Sequence, residues 1–336
     1  MFSRIMPHNR RESFIYMFFL CILFVVWYVF LNQQSAHPEE TKIANSTNYF
    51  TILYDEWSER IDKKGKEESY EEFKKEYNDK SYELQHNAAH IIGELLYEKE
   101  GLSGLAVCDE TFAFGCYHGF FLSSLSQEGI SIITELNNVC ADNFDGFLNA
   151  CQHGIGHGVL EFAGHKNLKK ALEMCEMTLQ EEGNFGCSGG VFMEFNFPGN
   201  VFSEELRARE YEAHNPYYPC DSENVPEKFK NSCYHSLPQW WKNMGQVPYT
   251  DMGNLCVNVY KEEYRNKCFL GVGNIAAPST GYNIEDTIKI CLQMPSLQSI
   301  VMCRTGASNS FAAEPNMRKY AKEVCGTDFK EDRCMI

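Results

Sequence analysis

The sequence predicts an all-α protein: an α-solenoid of about seven helical-hairpin repeats with intra-repeat disulfides, preceded by one N-terminal transmembrane helix. Three observations support this, namely fifteen cysteines in 336 residues, a regular spacing between them, and an uncharged stretch near the N-terminus. Hydrophobic residues at 44% and charged residues at 23% exclude a wholly disordered chain and a polytopic membrane protein. The formal net charge of −16 argues against nucleic acid as a partner.

Residues 13–31 are predicted to form a membrane anchor. They carry no charge, and 19 residues give a helix of about 28 Å, which matches the hydrocarbon core of a bilayer. Arginines in the preceding tail, residues 1–12, favour a cytoplasmic N-terminus. A cleaved signal peptide is the alternative, but no A-x-A-like site follows. The rest of the chain then lies in the periplasm, at the cell surface or in the secretory lumen.

Residues 32–84 are predicted to be a polar linker followed by a charged helical stalk or an N-terminal cap. Its charges are typical of a solvated helix face. Residues 85–336 are predicted to form the cysteine-paired repeat domain.

The fourteen cysteines beyond the anchor fall into seven successive pairs, and Cys21 stands alone within the anchor. The pairs are Cys108/Cys116, Cys140/Cys151, Cys175/Cys187, Cys220/Cys233, Cys256/Cys268, Cys291/Cys303 and Cys325/Cys334. Their first members are 32, 35, 45, 36, 35 and 34 residues apart, and a period near 35 is typical of a helical-hairpin solenoid. Disulfides suit an extracytoplasmic chain. Pairing between repeats is an alternative at this stage, whereas zinc usually needs the tighter C-x2-C spacing, which is absent.

Each first cysteine ends a helix-like run, and each second cysteine begins or lies within another. A disulfide between them would close the corner of a hairpin, where Cα atoms approach within about 7 Å, and would add roughly 2–3 kcal/mol. A glycine follows the second cysteine by three residues in five repeats: Gly119, Gly154, Gly190, Gly271 and Gly306. Such a glycine lets a neighbouring backbone approach closely.

Two segments carry a helix-and-turn pattern, residues 93–97 with Gly101 and residues 158–162 with Gly164 and Cys175. This pattern resembles that of Sel1-like, TPR-related repeats, and the resemblance covers roughly residues 85–334. It implies an α-solenoid that binds a protein or peptide, with one disulfide in each hairpin and no catalytic residues. The 45-residue step before Cys220 departs from it.

The histidines keep the register of the cysteines. His86, His118 and His153 each precede the next first cysteine by 22 residues, and His235 precedes its own by 21. They therefore occupy equivalent places in successive helices, where a stack of repeats would align them. The alternative is that each histidine only hydrogen-bonds a carbonyl group at a repeat junction.

Two repeats extend this register into the pattern H-x3-H-x3-E. Imidazoles at i and i+4 on one helix can chelate a metal ion, with the glutamate as an outer partner or a bridge. The two stripes could also share one site with the histidine between them, which would suit Fe, Mn or Zn. The candidate metal ligands are His86, His90, Glu94, His118, His153, His157 and Glu161.

Glu194, His235, Trp240 and Trp241 are further candidate binding residues, although core burial is the alternative for the tryptophans. We therefore expect a membrane-anchored, extracytoplasmic helical-repeat protein that binds a protein or peptide through a His/Glu-lined face. The alternative is a metal-dependent hydrolase or oxygenase. The expected cofactor is a divalent ion of Fe, Mn or Zn in the second case and none in the first.

Overall fold

A computed structural model describes residues 47–112, 114–143, 148–178, 186–198, 208–314 and 316–326. This part of the chain is all-helical, and it contains no β-strand. The α-helices are α1 Thr47–Lys64, α2 Lys66–Tyr77, α3 Tyr82–Glu100, α4 Gly115–Glu128, α5 Ile133–Asn143, α6 Leu148–Ala163, α7 Leu168–Met174, α8 Cys187–Asn196, α9 Lys230–Gly245, α10 Tyr249–Val257, α11 Glu262–Ser279, α12 Ile284–Cys291, α13 Leu297–Ala313 and α14 Ala321–Cys325.

Seven of these helices, here called the stacking helices, are α3, α4, α6, α8, α9, α11 and α13. Each stacking helix packs against the next one along the chain. The shorter helices α5, α7, α10 and α12 each precede a stacking helix and contact it. This is the hairpin repeat that the cysteine spacing predicts.

Six disulfides join the first two turns of a stacking helix to the segment before it. Four of them close the corners of these hairpins, and all six are predicted pairs. They are Cys108–Cys116, Cys140–Cys151, Cys175–Cys187, Cys220–Cys233, Cys256–Cys268 and Cys291–Cys303. Cys325 is also disulfide-bonded, while its predicted partner Cys334 lies outside the described residues. Pairing between repeats is excluded for the six described bonds. Disulfides persist in oxidising compartments, so these bonds indicate an extracytoplasmic location.

The fourth hairpin differs from the others. Cys220 lies in a run of turns and bends over residues 213–225 and not at the end of a helix. The 45-residue step before Cys220 is therefore filled partly by irregular chain, which the side chains of α9 hold in place. Trp240 Nε1 donates to Arg209 O at 2.8 Å, and Trp241 Nε1 donates to Pro216 O at 2.8 Å.

Helices α1 and α2 cover the first end of the stack. Their apolar side chains Trp57, Tyr70 and Phe73 are buried in the same core as the repeats. Charged residues occupy the outer faces and form ion pairs such as Lys99 with Asp62 at 2.6 Å. A cap on the first repeat describes this segment better than a free stalk does.

The predicted tail and anchor, residues 1–12 and 13–31, lie outside the described residues. Among the helices of the described part, none has both the length and the apolar character that a membrane span requires.

Candidate metal centre

Helices α3 and α4 cross in very close contact because glycines face backbone at the crossing. A Cβ atom on Gly93 would lie 1.9 Å from Cys116 O, and one on Gly119 would lie 1.8 Å from His90 O. No side chain fits at either position. The same arrangement recurs at Gly190, where an added Cβ atom would lie 1.9 Å from His153 O. The glycine three residues after the second cysteine therefore allows the close backbone approach that its position predicts.

The histidines next to these glycines meet at the crossing. Within the described residues, one group of potential metal ligands comprises His86 and His90 from α3 and His118 from α4. One ring nitrogen from each of the three lies within 4.8 Å of the other two. His90 is buried, whereas His86 and His118 are intermediate in exposure.

Hydrogen bonds orient the first histidine pair. The Nδ1 atom of His86 lies 2.9 Å from Phe112 O. Because a carbonyl oxygen only accepts, Nδ1 of His86 carries the proton and Nε2 carries the lone pair. That Nε2 lies 3.1 Å from Nε2 of His90. The two nitrogens therefore converge from consecutive turns of α3.

The second stripe, on α6, has the same local geometry. Nε2 of His157 lies 3.2 Å from Nε2 of His153, and Nδ1 of His157 lies 2.8 Å from Oε2 of Glu194. Glu194 comes from α8 and is almost fully buried, and its Oε1 lies 3.5 Å from Nε2 of His165. A carboxylate oxygen accepts a hydrogen bond from Nδ1–H, so the lone pair of His157 is on Nε2, which faces His153.

His118 joins the two stripes. Its ring stacks on that of His157 with centroids 4.2 Å apart, and its centroid lies 5.2 Å from that of His86. The five rings of His86, His90, His118, His153 and His157 therefore form one continuous cluster across three stacking helices.

The cluster keeps its imidazoles neutral. Burial lowers the pKa of His90 well below its usual value, and His86 and His157 lower it further because protonated neighbours would repel. Burial also lowers the pKa of His157 to about 3. Burial, together with repulsion from four nearby imidazoles, also holds the pKa of His118 well below the usual value. Neutral imidazole is the form that binds metal ions.

Comparisons with protein-family models, curated proteins and solved structures found no match to this chain.

The remaining predicted site residues lie outside the three-histidine group. Glu94 is partly buried, and burial together with the nearby Glu98 raises its pKa. Glu161 is also partly buried. His235 is buried on α9, where burial, Lys267 and His153 lower its pKa to about 3. Neither glutamate belongs to the group of converging nitrogens within the described residues.

Trp240 and Trp241 are fully buried, which favours the core alternative over an exposed ligand platform. Sequence reasoning placed Glu194 only among general binding residues and missed its bond to His157. The two residues are 37 positions apart, and no spacing rule connects them. His165, which looks like a loop residue in the sequence, lies beside the same carboxylate.

Proposed function

We propose that this chain is an extracytoplasmic metal-binding protein that holds a transition-metal ion on His86, His90 and His118. The observation that supports this best is the convergence of three imidazole nitrogens within 4.8 Å of one another. Two nitrogens on a tetrahedral zinc ion, each at about 2.0–2.1 Å, lie roughly 3.3 Å apart. The Nε2 atoms of His86 and His90 are already 3.1 Å apart.

The site draws its ligands from two helices whose separation is set by backbone contact. Because Gly93 and Gly119 leave no space between α3 and α4, the helix contact holds His118 close to His86 and His90. To reach a spacing of about 3.3 Å, the third nitrogen would move by at most about 1.5 Å. Such preorganisation lowers the free-energy cost of gathering the ligands.

The ligand type selects the class of ion. Neutral imidazole suits Zn, Cu, Fe and Ni, and calcium and magnesium prefer oxygen ligands. Three protein ligands leave a coordination position for water or substrate, as in catalytic zinc sites. His86 and His118 are less buried than His90, so such a molecule would approach from their side. We therefore assign a metal-dependent hydrolase or oxygenase as the class of activity to test.

The test is metal content. The full chain, made in an oxidising compartment and purified in detergent, is analysed for Fe, Mn, Cu and Zn. The variant His90→Asn/His118→Asn removes two ligands, and His214→Asn is the control because the His214 side chain is 85% exposed. We expect bound metal in the wild type and the control, and the loss of the ion held by this site in the double variant. A folded wild-type chain that contains no metal and takes up no added Zn²⁺ would contradict the proposal.

Partner binding is a second candidate function, and exposed apolar side chains favour it. Val257 and Leu292 directly follow the first cysteines of two successive repeats and are 46% and 57% exposed, and Tyr260 is 59% exposed. This repeated edge would suit an apolar segment of an extracytoplasmic protein or peptide. Cross-linking through the adjacent Lys261 and Lys289 in intact membranes should capture one partner, and Leu292→Glu should abolish the cross-link. The control is Ile52→Glu, an exposed apolar position on α1.

The topology completes the proposal. Residues 13–31 would anchor the chain with residues 1–12 in the cytoplasm, and the repeats would form a Sel1-like solenoid outside it. Support comes from the uncharged stretch, the preceding arginines and the disulfides. Protease digestion of sealed membrane vesicles of known orientation tests this, because only vesicles that expose the repeats should lose them.

A further inference from the structure

We propose that a second metal ion binds at His153 and His157, beside the first, so that the histidine cluster forms a two-metal centre in which Glu194 positions His157. This inference rests on the proposed metal-binding function and adds a second site to it. The residues come from α6 and α8, whereas the first site uses α3 and α4.

The first argument is that the two pairs have the same geometry. In each pair the histidines are four residues apart on one helix, and their Nε2 atoms are 3.1 Å apart in α3 and 3.2 Å apart in α6. Both distances are close to the roughly 3.3 Å edge of a tetrahedral imidazole site. The first pair has His118 as a third nearby ligand, so the second pair would need water or a substrate oxygen to complete its coordination.

The second argument is that an acceptor fixes one ring in each pair. Phe112 O accepts from Nδ1 of His86, and Glu194 accepts from Nδ1 of His157. In both cases the lone pair of that ring is therefore on Nε2, which faces the other histidine of the pair. A carboxylate behind a ligating histidine fixes the orientation of the ring and raises its basicity. Glu194 is 2% exposed, so little water competes for the hydrogen bond that it accepts from His157.

The third argument is proximity. His118, a ligand of the first site, stacks directly on His157 of the second, with centroids 4.2 Å apart and rings inclined by 29°. A ligand of the first site and a ligand of the second are therefore in direct ring contact. Two-metal enzymes place their ions about 3.5–4 Å apart and use both to hold one substrate oxygen or a pair of them. The substrate class that fits is a small oxygen-containing ligand that enters from the partly exposed side of the cluster.

Zinc stoichiometry of the full chain tests the inference. The protein is stripped with EDTA and titrated with Zn²⁺ against a chromophoric chelator that reports both stoichiometry and affinity. His157→Asn is the key variant because the amide can still donate to Glu194 while Nε2 is lost. His86→Asn is its match at the first site, since it preserves the donor to Phe112 O. His214→Asn is the surface control.

We expect two equivalents of Zn²⁺ in the wild type and in His214→Asn, and one equivalent in either His157→Asn or His86→Asn. Glu194→Gln should still bind two equivalents, with the second bound 10- to 100-fold more weakly and the first unchanged. That selective effect separates positioning from a general loss of structure. The wild-type stoichiometry and the Glu194→Gln affinities decide the question even if His157→Asn does not fold.

The inference and the proposed function fail differently. One equivalent in the wild type, retained in His157→Asn and lost in His86→Asn, would leave the first site intact and overturn the second. No Zn²⁺ bound by the folded wild type would overturn both. Equal weakening of the two equivalents by Glu194→Gln would refute the role given to Glu194.

Discussion

Replacing Gly119 by alanine should disrupt both the fold and the metal site. The new Cβ would lie 1.8 Å from His90 O, whereas carbon and carbonyl oxygen ordinarily approach to about 3.3 Å. Helices α3 and α4 must therefore separate by about 1.5 Å. Overpacking of this kind costs about 1–3 kcal/mol, and the better helix propensity of alanine returns at most about 1 kcal/mol. Because the obstacle is backbone, which yields less easily than a side chain, we expect a net loss of about 2 kcal/mol.

The same displacement moves His118 away from His86 and His90. A site that is loosened by about 1 Å loses the preorganisation on which tight binding depends. We expect the affinity for the first Zn²⁺ to fall at least 10-fold. Urea unfolding of the disulfide-intact chain measures the stability change, and chelator competition measures the zinc affinity.

Two other glycines provide matched controls. A Cβ atom added to Gly306 would lie 1.9 Å from Leu270 O in the contact between α11 and α13. Gly306→Ala should therefore destabilise the fold similarly without changing zinc affinity. A Cβ atom added to Gly253 in α10 would lie 3.3 Å from its nearest neighbour, a proline side-chain atom, so Gly253→Ala should be nearly neutral. Unchanged zinc affinity in Gly119→Ala, despite lower stability, would refute the claim that the helix crossing sets the site.

Three further predictions concern stability. Burial lowers the pKa of His157 and of His235 to about 3, so both are neutral in the folded protein but protonate below about pH 6.5 when it is unfolded. The free energy of unfolding in EDTA should therefore fall by about 2 kcal/mol per histidine from pH 7.5 to pH 5. An unchanged urea midpoint would contradict this. Replacing Cys256 and Cys268 by alanine opens a short loop and should cost about 3 kcal/mol in urea unfolding; a loss below about 1 kcal/mol would show that the hairpin corner is already rigid. Burial raises the pKa of Asp109, but hydrogen bonds from a lysine and a tyrosine of α2 and from a threonine two residues on outweigh burial and lower that pKa. Asp109→Asn should therefore lower the free energy of unfolding by about 1–2 kcal/mol above pH 5. The loss should be much smaller near pH 2, where the wild-type carboxylate has lost its charge.

The hairpins and their disulfides follow from local sequence, which is why spacing alone predicts them. The partners Cys140 and Cys151 are only 11 residues apart, and a short loop between two helices leaves little choice of geometry. Where local order is weaker, spacing predicts the disulfide but not the path of the chain. Cys220 pairs with Cys233 as expected, yet the described residues 208–219 before it contain no helix, and their position depends on long-range bonds from Trp240 and Trp241.

The candidate site divides in the same way. The histidine register predicts that His86, His118 and His153 meet, because equivalent positions in stacked repeats lie beside one another. The bond from His157 to Glu194 breaks that register, since α8 has Gly189 where its neighbours carry histidine. The carboxylate reaches the cluster from a position five residues further along α8. Only the packed structure shows this contact.

The scaffold and the site use neighbouring positions but are separable. In α4 the disulfide at Cys116 fixes where the helix begins, Gly119 brings it onto α3, and His118 lies between them at the point of closest approach. In α13 the disulfide at Cys303 and the contact of Gly306 recur without a histidine, because Thr305 occupies the equivalent position. A need for stable repeats therefore explains the cysteines and glycines throughout the stack. It does not explain why five imidazoles contact one another in α3, α4 and α6. The hydrogen bonds that Phe112 O and Glu194 accept fix two of these rings, and neutral imidazoles have the protonation state that metal binding requires.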